Sequence, residues 1–476
     1  MTAFIRPSKS NNLTIGIVGL PNTGKSTLFN YLTKNTVPAE NYPFCTIDPS
    51  YGKVEINDPR INDLVNIYTP KNVVKAYLGI TDIAGLVKGA SENFGLGNMF
   101  LSHIRNVDAI FHVVRCFEND EIVHVEDTVD PVRDIKIVND ELRFKDIETV
   151  TKIKQKMSKE IRGKNLDKKL KDQINLIDKL LKCLEKDWVN KFVFSDDEIL
   201  FISGLGLLTT KRVVYLANVC EDEYVKKRVN KHLRNLIEYI KEEEDVIRVC
   251  GDVNVEGKSG ENIKSEEDVI RVSCEKGKSG NVNVEKKSGE NIKSCEKEKV
   301  DSGDKGASKD IRTDNTSTSD NNKDNTKKQQ PQNIIVFSAL HENTTNSNIT
   351  NSNIANSNTT NIHSTPQRTP FINKLVKKGY EILDLINFFT VGKDEVRAWT
   401  IKRGTCAPQA GGVIHSDFMN YFIMAEVMSY NDLKEAGSEV EVKNRGKYHQ
   451  RGKMYVVNDG DIMLFKSNPP KSSKKK

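Results

Sequence analysis

The chain has 476 residues, 37% of them hydrophobic and 29% charged, with a net charge of +6. That length allows two or three domains with separate cores, and the lean apolar fraction excludes packing of every segment. No apolar run reaches membrane-spanning length, the eight cysteines form no C-x-x-C pair or zinc-type spacing, and Met1 to Asn12 lacks the apolar stretch of a signal peptide. A reducing, cytoplasmic setting is therefore expected, with a nuclear pool allowed and no membrane partner.

In chain order, Leu13 to Val18 reads as a strand running into a Gly-rich turn, with a helix from Ser26 onward. Ala76 to Thr81, Ala109 to Val114 and Val213 to Ala217 are further apolar runs of the kind covered on both faces. Strands alternating with helical patterns predict an α/β fold with a doubly wound, mostly parallel sheet. Between the third and fourth strands, Leu170, Ile174, Ile177, Leu181, Leu184 and Trp188 form one apolar seam, and Ile147, Val150, Met157 and Ile161 form another. With a turn at Gly163 to Asn165, the two seams predict a helical hairpin or short coiled coil over 141–200.

From Glu243 to Gln332 the sequence is polar and internally duplicated: EEDVIRVC at Glu243 recurs as EEDVIRVS at Glu266. A second tract, rich in Asn, Ser and Thr, spans Asn343 to Asn361. Neither has the apolar area to offset chain entropy, so disordered insertions are expected at about 243–332 and 343–367. Ile334 to Ala339, between them, reads as a strand and small-residue turn that belongs to the sheet. A helix over Phe371 to Leu385 follows, then a compact unit with β-type runs at Val396 to Lys402, Glu439 to Lys443 and Met454 to Val457. The first domain is thus expected over 13–140 and 201–385, the C-terminal domain over 386–469, and a basic tail over 470–476.

The strongest motif is Gly19-Leu20-Pro21-Asn22-Thr23-Gly24-Lys25-Ser26, a full G-x-x-x-x-G-K-[ST] between a strand and a helix. Glycines let backbone N–H groups wrap phosphates at the helix N-terminus, Lys25 reaches the β- and γ-phosphates, and the Ser26 hydroxyl ligates Mg²⁺. Asn22, Thr23, Gly24 and Thr27 complete the cradle. Gly257-Lys258-Ser259 and Gly277-Lys278-Ser279 repeat only the motif's tail, because Asp252 and Val272 stand where its first glycine is needed. Asp82-Ile83-Ala84-Gly85 is a D-x-x-G switch: Asp82 would hold the metal and the Gly85 N–H would sense the γ-phosphate. Thr46 is the candidate third metal ligand. Leu86 follows Gly85 where a water-orienting Gln often stands, so the attacking water needs another group.

Guanine is read by Asn-Lys-x-Asp, whose carboxylate takes both N1–H and N2–H₂. Here Asn218-Val219-Cys220-Glu221 lacks the Lys and lengthens the acid, which favours adenine. Ser338 and Ala339 supply the second base-flanking loop.

Together with ENYPFCTIDP, DIAGLVKGA, GLGNMFLSHIR, HVVRCFEND, FFTVGKDEVRAWTI, GTCAPQAGGVIHSDF and DGDIM, these motifs resemble the Obg-like ATPases of the YchF subfamily. The resemblance implies a Ras-like nucleotide domain, a helical-hairpin insertion and a C-terminal TGS domain of β-grasp fold. It implies ATP preferred over GTP, with Val219 at the base, and a histidine from a nearby loop in hydrolysis; His124 matches that position. It also implies ribosome association, here expected through the large subunit, translational or stress control, RNA contact through the TGS domain, and a monomer. A GTPase switch and a nucleotide-gated binding protein with incidental turnover remain the alternatives.

Overall fold

In chain order the sequence first builds a six-stranded sheet. Strands β1 (Thr14–Val18), β2 (Tyr51–Glu55), β4 (Tyr77–Asp82), β5 (Ala109–Arg115), β6 (Arg212–Asn218) and β10 (Ile334–Phe337) take the order β10-β6-β5-β1-β4-β2. The molecule is known from a computed structural model that describes residues 13–33, 50–83, 85, 89, 96–161, 168–244, 246–248, 269–273, 283–285, 333–339 and 370–469. All pairings in this sheet are parallel except β2 with β4. All seven residues of β5 are buried, which explains its unbroken apolar run between two helical layers. Helix α1 (Lys25–Thr33) follows β1, and α2 (Pro59–Tyr68) is capped by Asp58, whose carboxylate accepts the Arg60 N–H.

Helix α4 (Pro131–Ile161) starts at Pro131 rather than at the expected boundary of 141. Its first turns carry Ile135, Val138 and Leu142, which pack under the sheet before the helix leaves it. Its partner α5 (Lys168–Lys186) buries Ile177, Leu180, Cys183 and Leu184 against Val150. Trp188 lies past the end of α5 and packs with the sheet layer instead. Asp146 anchors the hairpin: its carboxylate accepts the Leu208 N–H at 2.9 Å and the Thr209 N–H at 2.7 Å.

After β6 come α7 (Glu221–Val225) and α8 (Lys231–Glu244). Of the duplicated tract, expected to be disordered, three short segments past Glu244 are described. Within it β7 (Val246–Arg248), β8 (Val269–Ser273) and β9 (Asn283–Glu285) form an antiparallel sheet. Val246 to Arg248 pairs with Val269 to Arg271, Val246 opposite Arg271, through β-branched residues that favour strands. The rest of that tract, the tract at 343–367, the Gly163 to Asn165 turn and the tail 470–476 lie outside the described residues.

Helix α9 (Pro370–Leu383) leads into the C-terminal domain, a sheet of β11 (Leu385–Thr390), β12 (Glu395–Lys402), β13 (Phe422–Ser429), β14 (His449–Arg451) and β15 (Asp461–Ser467). Its order, β12-β11-β15-β13-β14, with β11 parallel to β15 and helix Ala407–Ile414 packed on one face, is a β-grasp. Two expected strands are not strands. Glu439–Asn444 is a helix: Ser438 caps it through the Glu441 N–H, and the Lys443–Glu439 and Arg445–Glu441 pairs follow helical spacing. Met454 to Val457 is a turn with an isolated bridge from Val456 to Cys406.

Strand β3 (Asn72–Val74), from the nucleotide domain, adds to the free edge of β12, Asn72 opposite Glu395. Among the described residues, no helix is long and apolar enough to cross a membrane.

Candidate active site

Strand β1 lies mid-sheet between β4 and β5, so the loop that follows it emerges at the carboxyl ends where α/β sheets hold ligands. Two glycines are dictated by space. A Cβ on Gly19 would lie 2.4 Å from the Val113 carbonyl oxygen, and one on Gly24, whose φ is +98°, would lie 2.6 Å from Asn218 Nδ2. The buried Thr23 hydroxyl donates to the Leu20 carbonyl at 3.0 Å, and Lys25 Nζ donates to the same oxygen at 2.7 Å. Ser26 and Thr27 are exposed in the first turn of α1.

Asp82 ends β4 beside this loop. Its carboxylate accepts a hydrogen bond from the Ser26 hydroxyl, while Oδ1 is buried without a hydrogen-bond partner. Burial pushes the Asp82 carboxyl above its usual range against the opposing pull of Ser26 and Lys25. Burial also pushes the Lys25 ammonium down to about 8, opposed by Asp82. A stranded carboxylate oxygen next to a serine hydroxyl is a hard-oxygen pair that fits Mg²⁺, which takes one or two protein ligands and completes its shell with phosphates and water. Gly85 backs onto the same loop: a Cβ there would lie 3.1 Å from Pro21 N and 3.2 Å from Lys25 Nζ. Thr46 and Leu86 lie outside the described residues.

The loops after β6 and β10 are tied to the phosphate loop by one amide. Asn218 Nδ2 donates to the Thr23 carbonyl at 3.0 Å, and Asn218 Oδ1 accepts the Ala339 N–H at 3.0 Å. The Val219 N–H donates to the Phe337 carbonyl at 2.9 Å, which holds β6 and β10 in register at their ends. Thus Asn218, Val219, Ser338 and Ala339 are brought together with Thr23 and Gly24, although 121 positions separate Asn218 from Ala339. Glu221 opens α7 and is half-buried.

His124 is placed differently from a residue poised over phosphate. Its loop does touch the nucleotide site, since Asn22 Nδ2 donates to the Val123 carbonyl at 3.0 Å. The ring itself turns into the first turn of α4. There Nδ1 accepts the Glu126 N–H at 3.1 Å, which leaves the proton on Nε2 to donate to Asp134 Oδ2 at 2.9 Å. Both ring nitrogens are therefore occupied, and the side chain is 4% exposed.

Sequence reasoning missed the residues that hold this loop. The buried Arg115 donates to the carbonyls of Phe117, Asn119 and Ile122, and Arg133 bridges Thr128 and Asp134. No motif marks them; the one signal was an arginine ending a strand that is apolar but for His112. His112 on β5 was also missed. Burial, with a smaller push from Lys25, brings its imidazole down to about 3, so it stays neutral beneath the phosphate loop.

A family model described as a 50S ribosome-binding GTPase matches residues 14–178, and the model of the YchF GTPase C-terminal domain, described as a protein of unknown function, matches residues 385–468. Obg-like ATPase 1 of Gallus gallus is 39% identical over 477 residues, covering 98% of this chain and 95% of that protein. The protein of the same name from Oryza sativa subsp. japonica is 39% identical over 473 residues, with the same coverage of 98% and 95%. The solved structure of the Schizosaccharomyces pombe YchF GTPase superposes with a TM-score of 0.65 at 34% identity, covering 96% of this chain and 99% of that one.

Proposed function

The chain belongs to the Obg-like ATPase family of YchF proteins and is a P-loop nucleotide hydrolase, and from that premise we propose that it hydrolyses ATP in preference to GTP, with Mg²⁺, as a ribosome-associated switch in translation or stress control. The observation that carries the metal-dependent part is the partnerless Oδ1 of Asp82 beside Ser26 and Lys25. Bound Mg²⁺ supplies charge neutralisation on the β- and γ-phosphates. Ser26 and Asp82 would hold it, with Thr46 as third ligand. Lys25 exchanges its bond to the Leu20 carbonyl for the phosphates, the Gly85 N–H donates to a γ-phosphate oxygen, and Asn22 to Thr27 cradle the rest. His124 orients the attacking water once its loop releases it.

Base choice rests on Asn218, Val219 and Glu221, with Ser338 and Ala339 on the far side. The fixed Asn218 amide has one N–H left to offer, and the Lys and Asp that would read guanine are absent. Large-subunit contact is supported by the description of the matching family model, and we infer RNA contact through the C-terminal domain. We place the protein in the cytoplasm as a monomer. Competition of ATP and GTP against a fluorescent analogue, with and without Mg²⁺, tests the nucleotide part. ATP should bind more tightly and gain from Mg²⁺, whereas a clear GTP preference would hand the site to the GTPase reading. Cosedimentation of the ATP-bound protein with large ribosomal subunits tests the partner.

The locked ring of His124 favours a second reading, a nucleotide-gated binding protein whose turnover is incidental. A His124→Ala protein that cannot hydrolyse ATP yet still cycles normally on ribosomes would establish it.

A further inference from the structure

The junction between the two domains carries a groove that the phosphate chemistry does not use. It has a volume of about 320 Å³ and opens where β2 and β4 of the nucleotide sheet meet β12. Tyr51, Lys53 and Tyr77 come from the sheet, Arg397 and Trp399 from β12, and Lys75 from the connection before β4. The antiparallel register sets Lys53 opposite Gly79 and Glu55 opposite Tyr77, so Tyr51, Lys53 and Tyr77 share one face. Gly79 keeps that face low: a Cβ there would lie 3.1 Å from Tyr51 Oη. Tyr51 and Tyr77 are 36% and 38% exposed.

Across the groove, Trp399 is fixed rather than free to turn. Its Nε1–H donates to Thr390 Oγ1 at 2.9 Å, its ring stacks on Phe388, and the Arg397 guanidinium lies 3.9 Å from its centroid. None of the described residues lining the groove is acidic, while three are cationic. Lys75 pairs at 3.1 Å with Glu55, and Arg397 has no carboxylate partner among the described residues.

The fixed Arg397–Trp399 face and two exposed tyrosines, set among three cations with Glu55 as the neighbouring acid, suit a ligand that carries both flat rings and a run of negative charge. We propose that this groove binds single-stranded nucleic acid, with bases stacking on Tyr51, Tyr77 and the Arg397–Trp399 pair and backbone phosphates on Lys53 and Lys75. A slot walled by both domains admits unpaired bases and excludes a duplex, whose rings are already stacked. The inference deepens the ribosome reading, on which it rests only for supposing an RNA partner, by naming the surface and the strandedness.

Fluorescence anisotropy of the full chain with a labelled unstructured RNA, the same sequence as DNA, and a duplex provides the test. The single strands should bind, with affinity falling as salt rises, and the RNA-to-DNA ratio tells which sugar the groove takes. Tyr51→Ala with Tyr77→Ala should weaken binding by about tenfold or more, given ~1–3 kcal/mol per stacked base. Arg397→Glu should weaken it and flatten the salt slope. ATP turnover should be unchanged in each, which checks the fold. Equal binding of duplex, no binding of single strands at low salt, or wild-type affinity in both variants would overturn the proposal. Cosedimentation separates the two claims: ribosome binding untouched by the variants leaves the ribosome reading standing without the groove. Groove-dependent RNA binding without ribosome binding does the reverse.

Discussion

Replacing Asp134 with alanine removes the acceptor that holds His124 Nε2, at 2.9 Å, inside the first turn of α4. Both side chains are almost fully buried, at 4% and 3% exposure, so solvent screens this bond little. A hydrogen bond to a charged acceptor contributes about 1.5–3 kcal/mol, and ~1.4 kcal/mol is a factor of ten in population. The released ring should therefore become roughly 10- to 100-fold more populated. If hydrolysis requires that ring, kcat should rise by up to the same factor. Arg133 still holds Thr128 and the Glu126 carbonyl, so the loop keeps its frame. Asp134→Asn, which retains an acceptor but no charge, should give a smaller rise. Single-turnover hydrolysis at saturating ATP and Mg²⁺ reads the effect, with an Asp134→Ala, His124→Ala double variant as control. An unchanged or lower rate at preserved nucleotide affinity refutes the reasoning, as does a gain that survives in the double variant.

Asp82→Asn should abolish the strengthening of nucleotide binding by Mg²⁺ and lower kcat on the order of 100-fold or more, while metal-free nucleotide binding persists; titration with and without Mg²⁺ distinguishes the two. Lys25, brought from 10.5 down to about 8 by burial, should make ATP affinity fall as pH rises through about 8, with proton uptake on binding detectable by calorimetry in buffers of different ionisation heat. The same shift has the opposite sign for the stability of the nucleotide-free protein. Between about 8 and 10.5 the folded state binds fewer protons than the unfolded one, so this lysine's contribution makes stability rise with pH across that window. Gly24→Ala forces a side chain into a φ of +98° and within 2.6 Å of Asn218 Nδ2, and should cost more than about 1 kcal/mol by thermal unfolding as well as weakening ATP binding.

How legible the molecule was in its sequence depended on how local the determining interaction is. The phosphate loop, Asp82 and the strands behind them follow from spacing alone, because a buried parallel strand and a glycine turn leave their marks within a few residues. The β-type reading of Glu439 to Lys443 failed because Ser438 caps a helical turn there: two valines that a strand would put on one face point opposite ways, Val442 buried and Val440 69% exposed. The lock on His124 was invisible for another reason. His124 and Asp134 are ten positions apart across an irregular loop, and nothing in their spacing says which way the ring faces. The groove was hidden further still, since Tyr51, Tyr77 and Trp399 meet only when the two domains dock.

That docking limits how nucleotide state can act at a distance. One core cluster runs from Leu78 and Leu375 through Phe389 and Val396 to Leu433, so it belongs to both domains. Arg60 at the start of α2 bonds Asp58 at 2.7 Å and Asp459 at 3.0 Å, and β3 completes the edge of the C-terminal sheet. A swing of the C-terminal domain on a linker would have to break all three, which leaves the loops around the phosphates and the strands that reach them as the route by which bound nucleotide would act on the rest of the chain. Strand β4 is such a strand: Asp82 ends it beside the phosphate loop, and Tyr77 begins it in the groove. At about 3.3 Å per residue the two lie roughly 17 Å apart, on opposite faces of the sheet. Any coupling along β4 is therefore carried by the backbone and not by contact between the two side chains. It should appear as a change in single-strand affinity between the ATP-bound and nucleotide-free protein that Asp82→Asn removes and Tyr77→Phe, which keeps the ring, does not.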